Sequence, residues 1–153
     1  MASTRVSRLV NAPRAAVYSA LLDGDAVPLW KAPHGMTCRV HAFDAREGGS
    51  IRVSLTYDRA GSRGKTSDRT DTYHGRFVKL VPNEQVVERI EFETTDPALR
   101  GEMTVTWTLT DSDGGTEVVA LHEGLPPGVP IADNELGYRI ALGNLAELVL
   151  RRG

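Results

Sequence analysis

Glu102-Met103-Thr104-Val105-Thr106-Trp107-Thr108-Leu109-Thr110-Asp111 is the stretch that decides the fold. Successive side chains of an extended chain point to opposite faces. Met103, Val105, Trp107 and Leu109 therefore share one face, and Thr104, Thr106, Thr108 and Thr110 share the other. Such alternation belongs to an antiparallel sheet covered on one side only. Just beyond it, Asp113-Gly114-Gly115 supplies a hairpin turn, and Thr116 to Glu123 reads as the last strand.

Toward the N-terminus the same period recurs. Val86 to Phe92 is a strand, Pro82-Asn83 a turn, and Thr72 to Val81 the strand before it. In Ser50–Tyr57, Ile51, Val53, Leu55 and Tyr57 alternate with Arg52, Ser54 and Thr56, after a Gly48-Gly49 turn. Thr37 to Phe43 precedes that turn as another strand. The polar segment Asp58 to Asp71, with Gly61 and Gly64, reads as a long exposed hairpin loop. Arg5 to Val10 is β-prone and runs into Asn11-Ala12-Pro13, a helix start. Val17 with Leu21 and Tyr18 with Leu22, at i and i+4, define a short amphipathic helix, which Gly24 is expected to cap in a left-handed conformation. Asp25 is expected to cap a second short helix ending at Trp30, with Pro28 in its first turn.

Toward the C-terminus, Leu125 to Pro130 carries three prolines and a glycine and reads as a linker. From Asp133 to Arg151 the period changes to that of a helix. Tyr138, Leu142, Leu145 and Val149 form one apolar stripe. Gly143 interrupts it, at a cost of about 1 kcal/mol relative to Ala, which suits a helix passing close to something or leaving space. The order is one strand, two short helices, six strands and a long helix. Strands grouped between helices imply an α+β fold whose apolar sheet face packs on the final helix.

The 153 residues fit one domain, 1–153, a length that buries roughly 70% of the surface the unfolded chain exposes. Apolar residues make up 41% and charged residues 25%, as in soluble globular chains. A net charge of −2, from 18 basic and 20 acidic residues, favours neither nucleic acid nor an anionic membrane. Cys38, the single cysteine, cannot form an internal disulfide and fits a reducing compartment. Met1 to Arg5 lacks the apolar run of a signal peptide. No stretch approaches the roughly 18 apolar residues of a membrane helix, and Ala2 excludes N-myristoylation. The chain reads as cytoplasmic and soluble.

Several motifs in order carry a resemblance. These are Ala12-Pro13-Arg14 with Val17 and Ala20-Leu21, Trp30 at the end of the second short helix, and Phe43-Asp44-Ala45-Arg46-Glu47-Gly48-Gly49. They continue with Tyr73-His74-Gly75-Arg76-Phe77 and Val81-Pro82, then Gly115-Thr116-Glu117-Val118, His122-Glu123-Gly124-Leu125-Pro126 and Gly137-Tyr138. Together they resemble the START-like (SRPBCC) superfamily and, within it, bacterial proteins similar to activators of heat-shock-protein ATPase (AHSA-type). Tyr138 stands where that family usually carries Trp. The resemblance implies a helix-grip fold: a curved antiparallel sheet of about seven strands around the C-terminal helix. It also implies a cavity between sheet and helix for a small apolar molecule such as a lipid or polyketide. Some superfamily members are cyclases, hydratases or hydrolases, and eukaryotic AHSA relatives act as co-chaperones. Fold alone does not choose among these.

On that reading the ligand-facing residues are Trp30, Val53, Tyr73, Phe77, Val105, Trp107, His122, Tyr138 and Leu142. Gly75 shares a strand face with Tyr73 and Phe77, where a missing side chain leaves room for a ligand. Trp107 is equally suited to plain core packing. His122 shares a face with Val118 and Ala120 and has the chemistry of a general acid or base. A buried histidine satisfied by hydrogen bonds is the commoner outcome, and Glu123 points the other way, so the two form no dyad. Either Arg89 and Glu91 or Ile90 and Phe92 face inward, with exposure the default for the charged pair.

Other patterns carry less. Gly64-Lys65-Thr66 lacks the preceding glycine, strand and following helix of a phosphate-binding loop. His34, His41, His74 and His122 have no metal-ligand spacing, and no Gly-x-Ser-x-Gly occurs. Arg59, Arg63, Lys65 and Arg69 are interleaved with acids, unlike a nucleic-acid surface. No metal, cofactor or catalytic residue is assigned. The leading expectation is a binding protein for a small apolar or amphipathic molecule. The alternative is a cyclase- or hydratase-like enzyme using His122 and Tyr138. A co-chaperone-like module ranks last, because the chain begins almost at its first strand. Exposed strand edges and Leu148-Val149-Leu150 fit a homodimer.

Overall fold

The computed structural model describes residues 2–32, 35–57 and 70–152. In chain order the elements are β1 (Ala2–Val10), α1 (Arg14–Leu21), α2 (Val27–Trp30), β2 (Met36–Phe43) and β3 (Ser50–Tyr57). There follow β4 (Thr70–Val81), β5 (Gln85–Phe92), β6 (Met103–Ser112), β7 (Gly115–Leu125) and α3 (Ile131–Arg152). The seven strands form one antiparallel sheet in the order β1-β7-β6-β5-β4-β3-β2. From β2 to β7 the chain meanders, each strand pairing with the next, and β1 then closes against β7 with Val6 opposite Ala120. This is an α+β helix-grip fold.

β1 and β2 lie at opposite edges, so α1 and α2 must carry the chain across the sheet. They do so on its concave face. Val17, Ala20 and Leu21 of α1, and Val27 and Trp30 of α2, are buried there. α3 packs on β1 and on both short helices, and Leu142 and Leu145 are fully enclosed. The alternation of β6 is realised as read: Met103, Val105, Trp107 and Leu109 are buried, while Thr104, Thr106 and Thr108 are half-buried. β7 does the same with Thr116, Val118, Ala120 and His122.

On β5 the inward set is Val86, Glu88 and Ile90, with Phe92 partly buried against the core. Arg89 and Glu91 therefore face outward, and Glu91 lies 3.3 Å from His74. Four local expectations change. Gly24 does not adopt a left-handed conformation; a Cβ there would sit 3.2 Å from Phe43 Cδ1, so its role is close approach to β2. Asp25 does not cap α2, whose N-cap is Ala26; instead the Asp25 backbone N–H donates to Asp23 Oδ1 at 2.9 Å. The loop expected over Asp58–Asp71 lies largely outside the described residues, but its last two residues open β4, with Asp71 buried. Leu125, placed in the linker, ends β7 and pairs with Ala2.

Gly75 overturns a fifth expectation. A Cβ at that position would lie 1.9 Å from the Arg89 carbonyl oxygen. The missing side chain admits the backbone of β5, and no room is left for a ligand.

Candidate functional site

Three neighbouring strands and the crossover helix converge on one cluster. Tyr73 projects from β4, Glu88 from β5 and Trp107 from β6, and Trp30 comes down from the last position of α2. The Trp30 and Trp107 rings meet edge to face, with centroids 5.6 Å apart. The register sets Glu88 opposite Val105 and Val86 opposite Trp107, which makes Glu88 and Trp107 diagonal neighbours on the inner face. There Trp107 Nε1 donates to Glu88 Oε2 at 3.2 Å.

Lys31, the residue after Trp30, turns its ammonium into this cluster. Its Nζ lies 5.5 Å from the Trp30 ring centroid, 5.4 Å from that of Tyr73 and 5.9 Å from that of Trp107. The three rings form an aromatic cage around a cation. Lys31, Trp30, Tyr73, Glu88 and Trp107 line a cavity completed by Leu21, Val27, Phe43, Ile51, Val53 and Val86. Its volume of about 10 Å³ holds about one water molecule. Lys31 and Phe43 are the only partly exposed members of this wall and form its mouth. Trp30 is 2% exposed, and its indole N–H has no hydrogen-bond partner among the described residues.

Electrostatics keep the cation in place. Burial works against the ammonium, but Tyr73, Glu88 and Tyr138 outweigh it, and the Lys31 pKa is raised. The side chain is therefore charged at neutral pH and is no amine nucleophile. Burial pushes the Tyr73 hydroxyl up to about 12, partly countered by Lys31. The Cys38 thiol, buried on β2, is likewise raised by burial, which makes it a poor nucleophile.

A second polar cluster lies alongside. Tyr138 of α3 packs on Trp107, with ring centroids 5.8 Å apart, and its hydroxyl lies 2.9 Å from His122 Nδ1. His122 Nε2 is 3.1 Å from Met103 Sδ. A thioether only accepts, so Nε2 carries the proton and Nδ1 accepts the Tyr138 O–H. Asn134 Nδ2 stands 3.4 Å from the same nitrogen, and the Thr4 hydroxyl donates to Asn134 Oδ1. The network ties β1, β7 and α3 together. Burial, with a contribution from Lys31, depresses the His122 pKa to about 4, and burial raises that of Tyr138. His122 is a neutral histidine with both ring nitrogens occupied.

Of the residues expected to face a ligand, Trp30, Val53, Tyr73 and Trp107 line the cavity. Tyr138 and His122 sit in the adjoining network, one ring further from it. Phe77 packs edge to face on Phe43, centroids 5.3 Å apart. Val105 is enclosed between its cross-strand partners Glu88 and His122. Leu142 is fully buried in α3. The cavity thus lies between the sheet and the two short helices, and no α3 residue lines it. The two charge-bearing members, Lys31 and Glu88, escaped the sequence reading. The signal for Glu88 was present, since Val86, Glu88 and Ile90 share one parity on β5. For Lys31 there was none. Among the described residues no three His, Cys, Asp or Glu side chains are placed to share a metal ion. His41 bonds Ser54 at 2.8 Å, and His74 lies 3.1 Å from Glu93, both away from the cavity.

The family model for Activator of Hsp90 ATPase homolog 1-like proteins matches residues 11–149. The chain belongs to this family. Protein CV1439 from Chromobacterium violaceum is 32% identical, covers 96% of each chain and superposes with a TM-score of 0.85. Two more distant structures share the fold of this AHSA1-like chain. A Rhodobacter sphaeroides protein has 20% identity and a TM-score of 0.80, covering 99% of this chain and 93% of its own. The AHSA1-like protein from Aeromonas hydrophila has 15% identity and a TM-score of 0.73, covering 99% and 94%. A comparison with curated proteins returns no match. Among the described residues no helix of this AHSA1-like domain is long and apolar enough to cross a membrane.

Proposed function

We propose that the protein binds a small, largely apolar molecule at the Trp30–Tyr73–Trp107 cage, without covalent chemistry. The observation that carries this reading is the convergence of three large aromatic side chains from three elements on one concave site whose wall includes only two charge-bearing residues, Lys31 and Glu88. That balance of apolar wall and few polar anchors is typical of small-molecule sites. The closed cavity of about 10 Å³ means that the ligand enters by displacing the mouth, where Lys31 is the long flexible side chain. Ligand binding then draws on a more open conformer that the free protein populates less. The cyclase- or hydratase-like alternative is less well served, because His122 is buried, neutral and saturated by Tyr138 and Met103. The raised Cys38 thiol fits the reducing, cytoplasmic setting we propose for this binding.

Native mass spectrometry of the protein purified from its host tests the assignment. A stoichiometric small-molecule adduct is expected, and Val53→Phe, which fills the cavity, is expected to abolish it. An adduct that survives Val53→Phe unchanged places the ligand elsewhere and ends this reading.

A further inference from the structure

The polar groups around the cavity are unbalanced. Lys31 brings three N–H donors, Trp30 an indole N–H with no partner among the described residues, and Trp107 another indole N–H. The acceptors in the wall are the Tyr73 hydroxyl, which Lys31 already engages, and the single carboxylate, Glu88, whose Oε2 is engaged by Trp107. Donors outnumber acceptors at a site that is otherwise aromatic and aliphatic. Buried donors without acceptors are unfavourable, so a ligand gains most by bringing an acceptor. The aromatic cage cannot easily take a cation, because Lys31 Nζ already stands within 6 Å of all three ring centroids.

Resting on the binding reading above, we propose that the ligand is a flat apolar molecule bearing an anionic oxygen, a carboxylate, phenolate or enolate. That oxygen pairs with Lys31 Nζ and accepts the free indole N–H of Trp30. Lys31 thereby serves two roles. With the site closed, its ammonium fills the cage; with the ligand present, it withdraws toward the mouth and holds the anionic head there. Glu88 keeps Trp107 in place and adds a charge that disfavours an anion seated too deeply, which sets the head near the mouth and the apolar body over the rings.

The chain has only two tryptophans, both in this wall, so ¹⁵N spectra of the two indole N–H groups report directly on the site. The probes are trans-cinnamate, cinnamyl alcohol and cinnamylammonium, matched in shape and differing in charge. Cinnamate is expected to bind at least about tenfold tighter than the alcohol, the difference one charge-assisted hydrogen bond supplies, and to move the Trp30 indole signal downfield. Lys31→Met is expected to bring cinnamate down to the affinity of the alcohol, while Lys31→Arg retains the preference. Equal binding of cinnamate and alcohol, or tightest binding of the ammonium, overturns the anionic assignment and leaves the binding reading standing. Failure of all three probes to move either indole signal overturns both.

Discussion

At neutral pH His122 carries no charge, and its neighbours explain why. Burial and the nearby Lys31 cation both disfavour the imidazolium. Its folded-state pKa, about 4, lies below the ordinary 6.5, so between these values the unfolded chain binds the extra proton. Stability is therefore complete above pH 6.5 and declines as pH falls toward 4, by about 3 kcal/mol from this group. Urea unfolding at pH 7.5, 5.5 and 4.5 measures it, and His122→Gln should flatten the slope. Equal slopes in the two proteins would remove His122 as the source. Tyr138→Phe deletes the O–H that Nδ1 accepts and should cost about 1 kcal/mol in the same assay, whereas no loss would mean that Asn134 substitutes fully. That His122 faces inward was legible from the alternation of β7. Its partners were not, because Met103 and Tyr138 are separated from it by 19 and 16 residues and meet it only through packing.

Within single elements, two glycines have opposite meanings. On β4, Gly75 is the only residue that fits, because any Cβ meets the Arg89 carbonyl at 1.9 Å. Gly75→Ala is expected to lower stability by at least about 2 kcal/mol, read by thermal or urea unfolding. A neutral substitution would refute that tight contact. On α3, Gly143 has open surroundings, since a Cβ would come no closer than 3.9 Å to Arg8 Nη1. Gly143→Ala should raise stability by about 1 kcal/mol in the same unfolding assay, and a loss would mean that the Arg8 contact is less tolerant than its 3.9 Å separation implies. Strand and helix positions were readable because period 2 and period 3.6 are local properties of the chain. Loop chemistry was less so: Gly24 and Asp25 have the residue types of caps, but packing on Phe43 and the Asp23 turn took them over.

Across the whole molecule, the closure of β1 onto β7 makes β7 an interior strand like β6, while of the two edge strands β1 is packed by α3 and β2 is the less covered. Amide exchange should be slowest in β6 and β7 and fastest, among strands, in β2; comparable protection of β2 would mean that its free edge is covered in solution. The sheet order also decides the site. Because β1 and β2 occupy opposite edges, α1 and α2 must cross the concave face, and this crossing sets Trp30 and Lys31 above Tyr73, Glu88 and Trp107. By itself the sequence determined the α+β class, the inward residues of β6 and β7 and the aromatic character of the core, since these depend on spacing along the chain. The tertiary structure alone decided that a lysine completes the cage, that a glutamate anchors Trp107 and that the cavity lies under the short helices. Those contacts depend on which elements meet in space: parity with Val86 and Ile90 points Glu88 inward, but only folding brings Trp107 to it, and no local pattern marks Lys31.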